Sequence, residues 1–395
     1  MIDPLLALVL VVVGLPLVGV LVELATRRWL ATRGSYYVWT PGSHLRMELE
    51  RESLPSLPPV VRFDANKEGE RGPELPSDLS HTYRVLVAGG SAAECYYLDQ
   101  ETTWPEVIRC ELSAPEALEN LGAQHVHVGN VGRSLVGCEH IRVLLEKTLP
   151  RYDKLDCLVF MVGASDLVFW LEQQTPPELE DQPLPTERLF ASHPEPPFGW
   201  GPRTLAVRRI ASYWRHVLQH EVTHRTRTGK RMIDLRKMRA SAETWIDGVP
   251  DPAPMLDHFE RHYRELLTLA RQHAKRVICA RQPWFGKPEF APEEARWMWQ
   301  FGAGRPYQET VTTYYRHPVV WDLMRQVDQR AAEVADELGI EHVDLQSIVP
   351  LDLEHYYDEM HHTPKGCTVI GRAVADAILR REPAASPATS SSASH

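Results

Sequence analysis

Cysteine is sparse in this chain: six residues among 395, none at the spacing of a metal-ligand pair. That pattern argues against a thiolate metal centre. Cys157 and Cys279 fall inside apolar runs, where buried thiols are expected rather than disulfides, in keeping with a reducing compartment. Positive charge is also short. The formal net charge of −10 speaks against a nucleic-acid surface. A third deficit is local. Residues 5–22 form an almost unbroken apolar run, yet Asp3 precedes it where a signal peptide carries basic residues, and Glu23 follows where a small-residue cleavage site belongs. The expectation is an uncleaved single-pass anchor over residues 1–30, just long enough to cross a lipid bilayer. Arg27, Arg28 and Arg33 on its C-terminal side lean the topology toward a cytoplasmic domain.

What is present suits one large domain. Hydrophobic residues make up 43% of the chain, ample for a core. A Pro-Ala-Ser-rich tail over 382–395 is expected to be disordered, and 31–80 to be a linker and lead-in, which leaves roughly 300 residues, 81–381, for a folded unit. Ile141, Leu144, Leu145 and Thr148 mark one face of a helix; so do Phe259, Tyr263, Leu266, Leu267 and Ala270, and again Leu323, Val327, Ala331, Val334 and Leu338 before Gly339. Each precedes an apolar strand candidate: 157–162, 276–280, and the run around Val343 and Leu345. Alternation of this kind predicts a parallel sheet with helices on both faces, a three-layer α/β/α sandwich. Pro-rich 175–202 and the basic stretch up to Asp251 break the rhythm. They are expected to be an insertion, about 172–252, that covers the site or touches a partner.

Two short segments carry chemistry. The apolar run 83–88 ends at Gly89-Gly90-Ser91 and passes into helix-forming residues, so strand, tight turn and helix would leave the Ser91 hydroxyl at the carboxyl end of a parallel strand. Ser91-Ala92-Ala93-Glu94 also reads as a capping box, with Ser91 capping the helix. Far downstream, Asp358 and His361 stand three residues apart, spaced so that the acid can hold the ring in one tautomer while its other nitrogen faces a nucleophile. Thr363 and Pro364 then read as the N-cap and first turn of a last helix.

Together these segments resemble the blocks of the SGNH (GDSL) hydrolase superfamily, membrane-anchored type. The first block, Gly-Asp-Ser in the family, reads Gly89-Gly90-Ser91, with Trp104-Pro105 at the expected distance; the second, Asn-x-Gly-x-x-Gly, reads Asn130 to Leu135 with Gly132 in place. The third, Gly-x-Asn-Asp, reads Gly163-Ala164-Ser165-Asp166, and the last supplies Asp358, His361, Thr363 and Gly366. The stretch from Arg62 to Pro73 looks like the lead-in of anchored members. The resemblance implies a flavodoxin-like parallel sheet and an esterase or deacetylase with Ser91, His361 and Asp358 as its triad. Its oxyanion hole would be formed by Ser91, Leu135 and Ser165, with Gly132 nearby, and no cofactor. The substrate would be a small ester or an acylated glycan. Leu135 stands where the family has glycine and Ser165 where it has asparagine, so a catalytically silent binding module is the alternative.

A rival constellation is His220-Glu221-Val222-Thr223-His224, an HExxH sequence that on a helix would place two imidazoles on one face for zinc, as in a metallopeptidase. The basic residues after His224 fit a solvated helix end better. His355, Asp358, His361 and His362 could likewise hold a metal, but the following Thr and Gly suit the hydrolase block. No metal is expected at either place.

Overall fold

The computed structural model describes residues 10–380 apart from 154, 196–197, 203, 209 and 212–221. At its centre are five strands: β3 (Thr82–Gly89), β4 (His125–Asn130), β5 (Leu155–Met161), β8 (Ala274–Arg281) and β10 (Glu341–Asp344). All are parallel, and they lie in the order β10-β8-β5-β3-β4. Counted along the chain, that is the 2-1-3-4-5 order of flavodoxin-like sheets, with the order reversing between β3 and β5. The apolar runs are continuous because both faces are covered. Leu86, Ala88, Leu158 and Phe160 point into one core, and Val85, Val87, Cys157 and Val159 into the other.

Helices fill both outer layers. On the first face lie Cys138–Thr148, Ala253–His273 and His317–Glu337; on the second, Trp104–Leu112 and Pro364–Leu379. Every predicted face residue of the first three helices is buried except Leu338, which is partly so just beyond the helix end. Gly339 follows at φ +63, the left-handed conformation that ends a helix. All six cysteines are free, and five of them, Cys157 and Cys279 included, are buried.

The membrane anchor is not borne out. Among the described residues no helix is long and apolar enough to cross a membrane. Leu15–Arg33 is helical, but its second half carries Glu23, Arg27 and Arg28. Buried Glu23 accepts hydrogen bonds from the Ala206 and Val207 amides at 2.8 and 3.0 Å and from Arg27, whose guanidinium also reaches the Gly199 carbonyl. The charged second half of the helix is thus tied to Gly199, Ala206 and Val207. The single-pass localisation loses its basis, and the cytoplasmic lean with it. Residues 1–9 and the tail from 381 lie outside the described residues.

A second, small sheet joins the lead-in to the insertion. Strand β1 (Ser43–Leu49) pairs antiparallel with β2 (Val60–Asp64) and parallel with β6 (Val222–Thr228), Ser43 standing opposite Val222. This bears on the HExxH sequence. From Val222 onward it is extended, not helical, so the described part lacks the helix that would put both imidazoles on one zinc; His220 and Glu221 lie outside the described residues.

Candidate active site

Strand β3 ends at Gly89, whose α-carbon packs so closely on the Met161 carbonyl that a side chain would collide. The chain then turns at Gly90 into the four-residue helix Ser91–Glu94. Gly90 is the N-cap and no side chain caps the helix, so the capping-box role expected of Ser91 is absent. Its hydroxyl instead lies 2.7 Å from His361 Nε2. Placing this turn at the carboxyl end of β3, beside β5, sets it at the point where the strand order reverses, where crevices open in sheets of this kind.

His361 is held from behind. Its Nδ1 lies 2.8 Å from both carboxylate oxygens of Asp358, and Tyr357 stacks on the ring at 5.5 Å between centroids. Asp358 is fully buried and accepts three further hydrogen bonds: Oδ1 from the Met360 and His361 amides at 2.9 Å, Oδ2 from the Trp299 indole at 3.0 Å. Burial alone would raise its pKa, but the His361 charge and these donors outweigh that and hold it below the usual carboxylate range. In His361 the balance has the same origin. Burial would lower the imidazole, yet Asp358 prevails and the pKa is raised. Behind both, Glu359 Oε1 accepts from the Trp299 and Gln300 amides at 2.6 and 2.9 Å and so fixes the segment that presents the indole.

The second block meets Ser91 from the side. The Asn130 side chain donates to the Ala93 carbonyl and accepts from the Gly132 amide, both at 2.7 Å. A Cβ on Gly132 would come within 2.6 Å of the Glu94 nitrogen, so only glycine lets this loop close on the Ser91 helix. Leu135 has φ +61, the backbone conformation natural to glycine, at a strain on the order of 1 kcal/mol for another residue. Its side chain is exposed. The third block starts the helix Ala164–Glu172 after Gly163 at φ +113. Ser165 Oγ would stand 3.1 Å from a Cβ on Gly90, hence close to the nucleophile turn. Neighbouring Asp166 accepts from the Cys138 amide at 2.9 Å and so caps the helix that follows the second block; burial pushes its pKa up to about 6. Among the described residues the Ser91 and Leu135 amides have no acceptor.

Ser91, Leu135, Ser165, Asp358 and His361 line one open cavity of about 300 Å³. Tyr97, Phe169, Met232 and Tyr307 form further walls, and Glu172 is its one carboxylate outside the relay and turn; burial raises the Glu172 pKa to about 7. Three supports escaped the sequence reading. One is Trp299 on Asp358 and another is Glu359. The third is Arg71, which is buried and donates at 2.7 Å to the carbonyls of Glu94, Cys95 and Leu98, clamping the chain directly after Ser91. Trp104, quoted with the first block, supports the same turn by donating to the Ala92 carbonyl at 2.9 Å.

No family model and no curated protein matches the chain. Solved structures do resemble it. The acetylxylan esterase Axe2 of Geobacillus stearothermophilus is 14% identical, with 76% of this chain and 95% of that one covered at a TM-score of 0.40. LAE5, an alpha/beta hydrolase from the metagenome of Lake Arreo in Spain, is 14% identical over 76% and 97%, TM-score 0.39. A putative lipolytic protein of the G-D-S-L family from Desulfitobacterium hafniense is 11% identical over 74% and 98%, TM-score 0.37. Likeness at this level carries no argument about activity.

Proposed function

We propose that the protein is an SGNH-type serine hydrolase that cleaves an ester, releasing an acyl or acetyl group. The observation that carries the reading is the hydrogen-bonded chain from Ser91 through His361 to Asp358 at the mouth of an open cavity. A serine hydroxyl is a poor nucleophile at its own pKa and needs a base within hydrogen-bond reach. His361 Nε2 takes the Ser91 proton as Oγ attacks the carbonyl carbon, and Asp358 stabilises the imidazolium that results. The amides of Ser91 and Leu135 stabilise the developing oxyanion, with the Ser165 hydroxyl as third donor. His361 returns its proton to the leaving alkoxide; water, activated by the same imidazole, then releases the acid and frees Ser91. The aromatic walls suit a small acyl ester or an acyl group carried on a sugar ring.

The test is a fluorophosphonate probe on the full-length protein together with acetyl and longer acyl esters. Ser91→Ala should abolish both labelling and hydrolysis, while a strong chelator should leave hydrolysis in place. Labelling that persists in Ser91→Ala moves the nucleophile elsewhere. A folded protein that neither labels nor hydrolyses is the silent binding module, the second reading, which the replaced Gly and Asn positions favour.

A further inference from the structure

On the face of the domain covered by Ala253–His273, a group of side chains stands apart from the serine relay. His258 and His262 lie one turn apart on that helix, their ring centroids 4.6 Å from each other. Facing them are Asp181, from the insertion, and Glu139, from the first turn of Cys138–Thr148. His262 Nε2 is 3.1 Å and His258 Nε2 3.6 Å from Asp181 Oδ1. One ligand atom of each residue lies within 4.8 Å of the other three, the only such group among the described residues. We propose that Glu139, Asp181, His258 and His262 hold a divalent transition-metal ion, and that it fastens the insertion to the core.

Three observations point to a ligand. His258 Nε2 is buried without a hydrogen-bond partner, although it faces the group. His262, wholly buried, likewise has no hydrogen bond on Nδ1; the nearest carboxylate, Glu265 Oε2, stands 3.7 Å behind it on the same helix. A carboxylate behind a ligating imidazole fixes the tautomer and raises the basicity of the other nitrogen. A cavity of about 50 Å³, bounded by Glu139, His140, Asp166 and His258 among others, opens beside the group.

A neutral imidazole is the form that binds a metal. Asp181 Oδ1 accepts a hydrogen bond from Arg261 at 2.7 Å. Arg261 is half exposed and occupies one lone pair of a carboxylate that has four. Arg142 Nε faces Glu265 Oε2 at 3.1 Å. Two imidazoles and two carboxylates suit zinc in a closed tetrahedral site of the structural type. The insertion is already tied here by the Gln182 amide to Glu139 at 3.0 Å and by His140 to the Gln182 carbonyl at 2.8 Å, so the ion would complete an existing seam.

Untagged full-length protein, stripped with a chelator, is titrated with zinc against a chromophoric chelator, and its melting temperature is read with and without zinc. The expected result is one bound equivalent and a melting temperature raised by several degrees. Asp181→Asn and His258→Ala should lose the equivalent and the shift while melting near the stripped wild type, and Glu265→Gln should weaken binding about tenfold. The proposal is overturned if the stripped wild type takes up no stoichiometric zinc, or if both variants retain it. It is equally overturned if His220→Ala, not His258→Ala, removes the ion. None of these readouts depends on ester hydrolysis.

Discussion

The two edges of the cavity reach their geometry by opposite means. On one edge stands the proposed relay, made of side chains: Ser91, His361 and Asp358 form an unbroken chain of hydrogen bonds, each of the residue type that such a mechanism demands. On the oxyanion edge two positions differ from the family pattern, yet Leu135 keeps φ +61 and Ser165 keeps its place beside the nucleophile turn. Where a backbone amide is the working part, the side chain above it is free to change so long as the turn survives. Where a side chain moves the proton, no such freedom exists.

That contrast sets the order of expected effects. Ser91→Ala should lower ester hydrolysis by about 10⁴-fold or more, and Asp358→Asn, which removes the charge beside His361 and puts an NH2 donor in place of one carboxylate oxygen, by a comparable factor. Both are read as kcat/KM on a chromogenic ester, and a loss under tenfold in either would break the assignment of the relay. On the other edge, Ser165→Ala should cost about ten-fold in kcat if the hydroxyl donates, and Ser165→Asn should keep or raise it. Equal rates in all three proteins would leave the oxyanion to the amides alone. Leu135→Gly should change kcat less than about three-fold and, by relieving the left-handed strain, hold or raise stability by up to about 1 kcal/mol. Urea unfolding checks this; a large fall in rate would show that the exposed leucyl side chain, not only its amide, serves the site.

A separate effect is on stability against pH. Burial raises the Glu172 pKa to about 7, and burial together with the Asp358 charge raises that of Glu359. A carboxyl raised in the folded state keeps its proton where the unfolded chain has lost it, so its contribution is complete below pH 4.5 and lost as pH climbs toward 7. Urea midpoints should therefore fall over that window, and Glu172→Gln should flatten the slope. An unchanged slope would mean that Glu172 ionises as it does in water.

Most of the sandwich was legible because its signals are local. Strands β3, β5 and β8 are buried on both faces and so appear as plain apolar runs, and the covering helices repeat apolar residues at three and four. Thr363 caps Pro364–Leu379 by accepting from the Gly366 amide, as its position before Pro364 implied. The small sheet was not legible: Val222–Thr228 is polar and basic, and nothing near it in the chain announces a partner at Ser43. Residues 5–22 misled in a related way. Apolarity alone suggested a membrane span, while the Glu23 hydrogen bonds to Ala206 and Val207 are formed across a distance in sequence that no local pattern records. Arg71 and Trp299 belong to the same class. A lone arginine reads as surface, and one tryptophan of eleven reads as core, until the fold brings each to its acceptors.

Arg71 also sets an order on events. The guanidinium that grips the carbonyls of Glu94, Cys95 and Leu98 belongs to the segment whose strand β1 pairs with β6, and that register cannot form until most of the polypeptide has emerged. Closing so long a loop is slow and entropically costly, so the small sheet forms after the local strand-helix units. His361, the proposed base, comes later still, 270 residues beyond Ser91, so on that reading a growing chain carries a complete first block well before it has a reactive one.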